Sequence, residues 1–190
     1  MSGRLFIISA PSGAGKTSLV EAAIPIVNKR HSIEQVITYT TKNPRSTDPK
    51  MRDFHFIDST EFERRIKEQF FLEWSNAYGA YYGSPRSVID EIQQGRSFIL
   101  VIDRVGAQQV IKQIPDAVLV LITVANIQVL QDRLAARGTE TPVQIEYRLK
   151  RAHVEIDLEK KSRLYTYHVL NDDFMTAVEQ LVSIITGKLS

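Results

Sequence analysis

The stretch Ser9-Ala10-Pro11-Ser12-Gly13-Ala14-Gly15-Lys16-Thr17-Ser18 decides how this chain is read. It nearly spells G-x-x-x-x-G-K-S/T, a loop whose successive backbone N–H groups close around phosphate oxygens while the following helix aims its positive end at them. Ala10 stands where that pattern has its first glycine. The position lies on the strand side, before the tightest bend, so a methyl group fits if the backbone angles are ordinary, and Gly13 and Gly15 carry the demanding part. Lys16 is expected against the β- and γ-phosphates, and the Thr17 hydroxyl on a Mg²⁺ that bridges them. A glycine-rich turn that merely links strand to helix is the alternative; strand, loop, Lys-Thr and helix in this order favour nucleotide binding.

The flanks supply that order. Leu5-Phe6-Ile7-Ile8 reads as a buried strand, and Thr17 to Asn28 carries Leu19, Val20, Ala23, Ile24 and Val27 at helical spacing, with Pro25 expected to kink or end the helix. Three more apolar runs, 98–102, 118–122 and 165–170, read as buried strands of a parallel sheet. Helical patterns at 105–114 and 127–136 separate them, and Phe174, Val178, Leu181, Val182 and Ile185 share a face of a closing helix. Alternating strands and helices predict an α/β fold with a three-layer, phosphate-loop parallel sheet core.

Two regions break the rhythm. Residues 32–95 hold a period-two run at Val36-Ile37-Thr38-Tyr39-Thr40, a Pro/Arg/Asp-rich turn at 43–52 and an aromatic cluster at 70–82, and read as an inserted acceptor-binding lobe. Residues 137–161 hold a highly charged helix with little apolar surface for a core, which suits a hinged lid. The remainder, 1–31, 96–136 and 162–190, is the core of a single domain spanning 1–190.

Composition narrows the function classes. The 24 Lys+Arg against 22 Asp+Glu give 24 − 22 = +2, too small a bias to imply a nucleic-acid or membrane partner through bulk charge. Without cysteine there is no disulfide framework, thiolate nucleophile or Cys-based zinc site, and cytoplasmic residence is the simple reading. The longest apolar stretch, Ala117 to Ile122, is too short to span a bilayer. Oligomeric state is open between monomer and homo-oligomer.

Asp103 ends the apolar strand 98–102 in the place of the second acidic residue of phosphate-loop folds, which supports Mg²⁺ directly or through water. It reads equally as a helix N-cap.

Six stretches in order, "SAPSGAGKTSL" (9–19), "TYTTKNPR" (38–45), "FLEW" (71–74), "YYGS" (81–84), "GAQQ" (106–109) and "LNDDF" (170–174), resemble the guanylate kinase family of the nucleoside monophosphate kinase group. The resemblance covers nearly the whole chain. It implies transfer of the γ-phosphoryl of ATP, with Mg²⁺, to GMP or dGMP. By the same resemblance Arg45 and Lys42 grip the acceptor phosphate, Lys42 standing where the family usually has a second arginine and so lacking its bidentate fork. Glu73 is similar to the family's guanine-reading carboxylate, which accepts from guanine N1–H and the 2-amino group. Thr38 and Ser84 match hydroxyl positions around base and phosphate, and Tyr82 matches a phosphate-contacting tyrosine. Tyr81 and Tyr82 also read as packing aromatics, and Ser84-Pro85 as a helix start. Arg133, Arg137 and Arg148 match arginines that close over the ATP phosphates, while Lys150 and Arg151 read as solvated charge. Asn171 matches a loop beside the ATP adenine, although Asn171-Asp172-Asp173 also reads as a helix cap.

The chain departs from the family pattern near the acceptor. Phe54 replaces a tyrosine whose hydroxyl touches the GMP phosphate, Val101 replaces an aspartate that faces the acceptor, and Arg104-Val105 replaces a large residue followed by glutamine. These changes bear on how strictly the site selects GMP. A kinase of another small phosphorylated acceptor, such as a ribose bisphosphate, is a competing reading that Glu73 opposes. A non-catalytic guanylate-kinase-like binding module is another, opposed by the intact loop and lid arginines.

Overall fold

The apolar run before the phosphate loop forms β1 (Leu5–Ser9), every residue of it buried. In the computed structural model, which describes residues 2–44, 54–77, 79–136, 138 and 141–189, the chain divides into two compact units. A loop unit comprises Phe6–Ser32 and Val118–Ser190, and a hairpin unit comprises Met1–Leu5 and Ile33–Ala117. The whole is a mixed α/β structure with a parallel central sheet, as its alternating pattern predicts.

In the loop unit, β1 pairs in parallel with β8 (Val118–Thr123), Phe6 opposite Val118 and Ser9 opposite Leu121. Strand β8 in turn pairs in parallel with β9 (Tyr167–Leu170). The continuous apolar runs of β1 and β8 suit strands covered on both faces. Helix α1 (Lys16–Val27) buries Leu19, Val20, Ala23 and Val27, and packs on α7 (Phe174–Leu189), which buries Ala177, Val178, Leu181 and Ile185. Pro25 falls in the last turn of α1, where it removes the N–H that would reach the Glu21 carbonyl, and the helix closes two residues later.

Helix α5 (Ile127–Ala136) precedes helix α6 (Pro142–Ser162), which starts from a complete capping box between Thr141 and Gln144. As the charged sequence predicts, α6 buries only Ala152 and Glu159 among its described residues. Buried Glu159 serves the helix exit: its carboxylate accepts from the backbone N–H groups of Leu164 and Tyr165, both at 3.2 Å. Lys150 pairs with Glu146 on the solvated face.

In the hairpin unit, β2 (Glu34–Gln35) pairs in parallel with β7 (Phe98–Val101). A separate four-stranded sheet has the order β4-β3-β6-β5, from β3 (Thr38–Thr40), β4 (Phe54–Phe56), β5 (Phe71–Ala77) and β6 (Ala80–Pro85). The run 36–40 that periodicity reads as one strand is therefore split, because the chain leaves one sheet at Val36 and joins the other at Thr38. Helix α2 (Ser59–Lys67), which the sequence reading leaves within the lobe, is capped by Asp58 and buries Phe62 between the rings of Phe71 (4.4 Å) and Tyr81 (5.1 Å). Tyr81 is thus a packing aromatic. Pro85 ends β6 rather than starting a helix, and α3 (Val88–Gln93) begins after Ser87. Helix α4 (Arg104–Gln113) follows β7.

Candidate active site

The loop unit carries the glycine-rich loop between β1 and α1. Gly13 (φ 91°) and Gly15 (φ 88°) hold the left-handed angles that a Cβ disfavours, while Ala10 has no such angle. The alanine in the first pattern position therefore leaves the loop intact. Gly15 is also the N-cap of α1, and no side chain caps that end. Backbone N–H groups of the first turn, with Lys16 and Thr17 half-buried beside them, are thus presented as a ready anion site. Ser18 is exposed, whereas Pro11 and Ala14 are buried supports of the loop.

Two side chains converge on one loop carbonyl. The buried Asn171 donates its Nδ2 to the Ala14 oxygen at 2.7 Å, and Arg133 donates its Nη1 to the same oxygen at 3.4 Å. Arg133 also donates Nη2 to the Asn171 carbonyl at 2.8 Å, closing the triangle. A Cβ at residue 15 would lie 2.5 Å from Asn171 Nδ2, so Gly15 is what lets the amide reach the loop. The cap reading of 171–173 is divided among residues: Asp173 accepts from Thr176 N–H at 2.8 Å, and Asp172 from Ala125 N–H at 3.1 Å. Arg148 on α6 donates to the Ser12 hydroxyl at 2.9 Å. The described arginines thus meet the loop; Arg137 and Arg45 lie outside the described residues.

The hairpin unit carries a buried carboxylate. A bulge in β5 between Phe71 and Glu73 shifts the register so that Glu73 stands opposite Ser84 on β6. Glu73 is only 2% exposed, and its Oε1 accepts the Ser84 hydroxyl at 2.6 Å. A Cβ at residue 106 would lie 2.4 Å from Glu73 Oε2, so Gly106 makes the space this carboxylate occupies. Burial pushes the Glu73 pKa up to about 7, against the lowering effect of the Ser84 hydroxyl and with a further upward push from the Asp103 charge.

Asp103 acts as the N-cap of α4: Oδ1 accepts from Gly106 N–H and Oδ2 from the Ser75 hydroxyl, both at 2.9 Å. Ser75, two residues beyond Glu73 on the same strand face, is a neighbour that motif reading passes over. Gly106 sits in a quoted motif, but only the close approach reveals its work.

Thr38 is buried on β3, and Lys42 lies just beyond that strand. Tyr82 is half-buried, with Phe54 edge-on at 6.3 Å. In place of a family hydroxyl, Phe54 offers an aromatic contact. Arg104 is buried, at 8% exposure, whereas Val105 beside it is exposed.

The family model described as guanylate kinase matches residues 2–188. The chain is 41% identical over 187 residues to a guanylate kinase of Chromobacterium violaceum, covering 98% of this chain and 86% of that protein. It is 39% identical to a guanylate kinase of Symbiobacterium thermophilum, with 98% and 86% covered. Among solved structures, the guanylate kinase from Anaplasma phagocytophilum superposes with a TM-score of 0.76 at 25% identity, over 99% of this chain and 87% of that one. A phosphate loop followed by α1, a buried carboxylate on a bulged strand, and these likenesses over almost the full length together place the chain in the guanylate kinase family.

Proposed function

We infer that this protein is an ATP:GMP phosphotransferase, which also takes dGMP, and that the loop unit binds ATP and the hairpin unit binds GMP. The observation that carries the acceptor identity is Glu73: a buried carboxylate with a raised pKa needs donors, and guanine supplies two on one edge, N1–H and the 2-amino group. Adenine has no such pair, and a sugar phosphate has no such edge.

In the reaction an oxygen of the GMP phosphate bonds to the γ-phosphorus as the bond to the β,γ-bridging oxygen breaks, giving ADP and GDP. The protein's task is positioning and charge. Loop N–H groups and Lys16 hold the β- and γ-phosphates, and Arg133, Arg137 and Arg148 supply positive charge around them. Arg45, Lys42 and Tyr82 hold the acceptor phosphate, and Thr38, Ser84 and Glu73 hold the base. Residues 32–95 act as the acceptor lobe and 137–161 as a lid that excludes water, which would otherwise take the phosphoryl group.

Magnesium fits the donor set. It is a hard cation that is held through few protein oxygens, with phosphates and water completing the shell. The Thr17 hydroxyl at the start of α1 is such an oxygen, and among the described residues no cluster of three or more acidic or histidine side chains offers an all-protein cage. When bound, the ion would neutralise charge on the phosphates. Asp103, whose oxygens accept from Gly106 and Ser75, keeps lone pairs with which it would support the ion directly or through water. Among the described residues no helix is long and apolar enough to cross a membrane. Cytoplasmic residence belongs to the same proposal, in keeping with substrates that are intracellular nucleotides.

The test is ADP release from Mg-ATP with GMP, dGMP, AMP, UMP and phosphorylated sugars. Turnover confined to GMP and dGMP, and abolished in a folded Lys16→Ala variant, is expected. Equal rates with AMP, or an active Lys16→Ala protein, would reject the reading.

A further inference from the structure

Among the described residues, strand β5 is the edge of its sheet, so one side of its backbone lacks a strand partner there. Helix α4 supplies substitutes. The Gln109 amide pairs reciprocally with Trp74, accepting from its N–H at 3.2 Å and donating to its carbonyl at 2.7 Å, as a neighbouring strand would. Gln113, one turn further along, donates to the Leu72 carbonyl at 2.7 Å. The two clamped residues, Leu72 and Trp74, are those on either side of Glu73.

The location of these bonds argues for more than edge cover. The Gln113 bond falls within the bulge, where the ladder to β6 is interrupted and least able to fix the strand, and the Gln109 pair falls just beyond it, at Trp74. They also share a helix face with Asp103, which takes the Ser75 hydroxyl, and with Gly106, which makes room for the carboxylate. One face of α4 thus meets four consecutive residues of β5, from Leu72 to Ser75.

We propose that Gln109 and Gln113 are positioning residues for acceptor recognition, holding β5 on both sides of Glu73 so that its carboxylate keeps the depth and direction needed to read a guanine edge. The proposal rests on the guanylate kinase reading above.

The experiment compares Gln109→Met and Gln113→Met, which keep volume and remove the amides, with Gln108→Met on the exposed side of α4 as control. KM for GMP and for ATP, kcat, the preference for GMP over IMP (which lacks the 2-amino group) and melting temperature are measured. A rise of about threefold to tenfold in the KM for GMP is expected, the size of one or two neutral hydrogen bonds, with the KM for ATP unmoved and the preference over IMP reduced. Gln113→Lys, which keeps a donor for the Leu72 carbonyl, should restore the KM for GMP. Should Gln109→Met fail to fold, the Gln113 pair carries the test.

An unchanged KM for GMP in both methionine variants, with wild-type turnover intact, overturns the clamp alone. So does a parallel rise in both KM values with a lowered melting temperature, the mark of a merely structural role. A wild-type chain that releases no ADP with GMP rejects the guanylate kinase reading, and the clamp with it.

Discussion

Asn171 Nδ2 lies 2.7 Å from the carbonyl oxygen of Ala14, a bond that ties the end of β9 to the phosphate loop across 157 positions of sequence. The carbonyl it holds belongs to the peptide whose N–H is that of Gly15, so the bond fixes the direction in which that N–H points. Asn171→Ala should therefore raise the KM for ATP about tenfold, the loss of roughly 1.4 kcal/mol, and leave the KM for GMP near its wild-type value. Asn171→Asp should be worse, since it sets a carboxylate against a carbonyl oxygen. Steady-state kinetics with each substrate varied in turn decides this; equal effects on both substrates would count against it.

Gly106→Ala separates helix propensity from function. Alanine at this position favours the helix by up to about 1 kcal/mol, but its Cβ would meet Glu73 Oε2 at 2.4 Å. The carboxylate must move, so the KM for GMP should rise by at least about tenfold, the equivalent of roughly 1.4 kcal/mol, while ATP binding stays unchanged. Titration calorimetry with each nucleotide is the measurement, and wild-type GMP affinity is the outcome that contradicts it.

The pH dependence follows from Glu73. Its carboxyl is held at about 7 rather than 4.5, and only the ionised form accepts both guanine donors. The KM for GMP should fall as pH rises through about 7 and then level off. The phosphate of GMP titrates near pKa ~6, so Glu73→Gln is the control: it keeps the phosphate's dependence and loses the step near 7.

The same group sets a stability trend of fixed sign. Because the folded pKa is above the unfolded one, the folded chain binds more protons between the two values. The stabilisation is fully present below 4.5 and is lost as pH rises through about 7. Glu73→Gln, which has no charge to bury, should melt a few degrees higher relative to wild type at about pH 8 than at about pH 5. Melting curves of the two proteins at both pH values test it.

Arg148 and Ser12 can be told apart by rate. If the Arg148 guanidinium serves the transferring phosphoryl group, Arg148→Ala should lower kcat by on the order of 10³ or more. Ser12→Ala removes only the 2.9 Å bond between them, a hydrogen bond to a charged group worth about 1.5–3 kcal/mol, and should cost about 10- to 150-fold. Similar losses in both would mean that the arginine acts through the loop.

The strand, loop and helix from Leu5 to Val27 were legible in sequence because each signal there is local: an apolar run, paired glycines, a lysine and threonine at a helix start. Glu73 and Ser84 were legible as residues, through motif resemblance. What was hidden depends on distance in sequence. Nothing near Asn171 shows that its amide turns back to Ala14, and nothing near Gln109 shows that it pairs with a strand 35 positions earlier. The passage from one sheet to the other at 36–38 was equally invisible, since the alternation runs through it unbroken. Asp103 was ambiguous because a cap and a metal ligand ask for the same side chain.

The bulge in β5 makes acceptor recognition hostage to the length of a strand. Alternation in an extended chain turns successive side chains to opposite faces, so an unbulged ladder continuing from the Phe71–Pro85 pair would set Leu72, not Glu73, opposite Ser84. Guanine selectivity on the proposed reading is therefore vulnerable to a one-residue slip of this ladder that leaves every motif residue unchanged. Acceptor choice on such a scaffold then depends on where β5 pairs as well as on the glutamate itself.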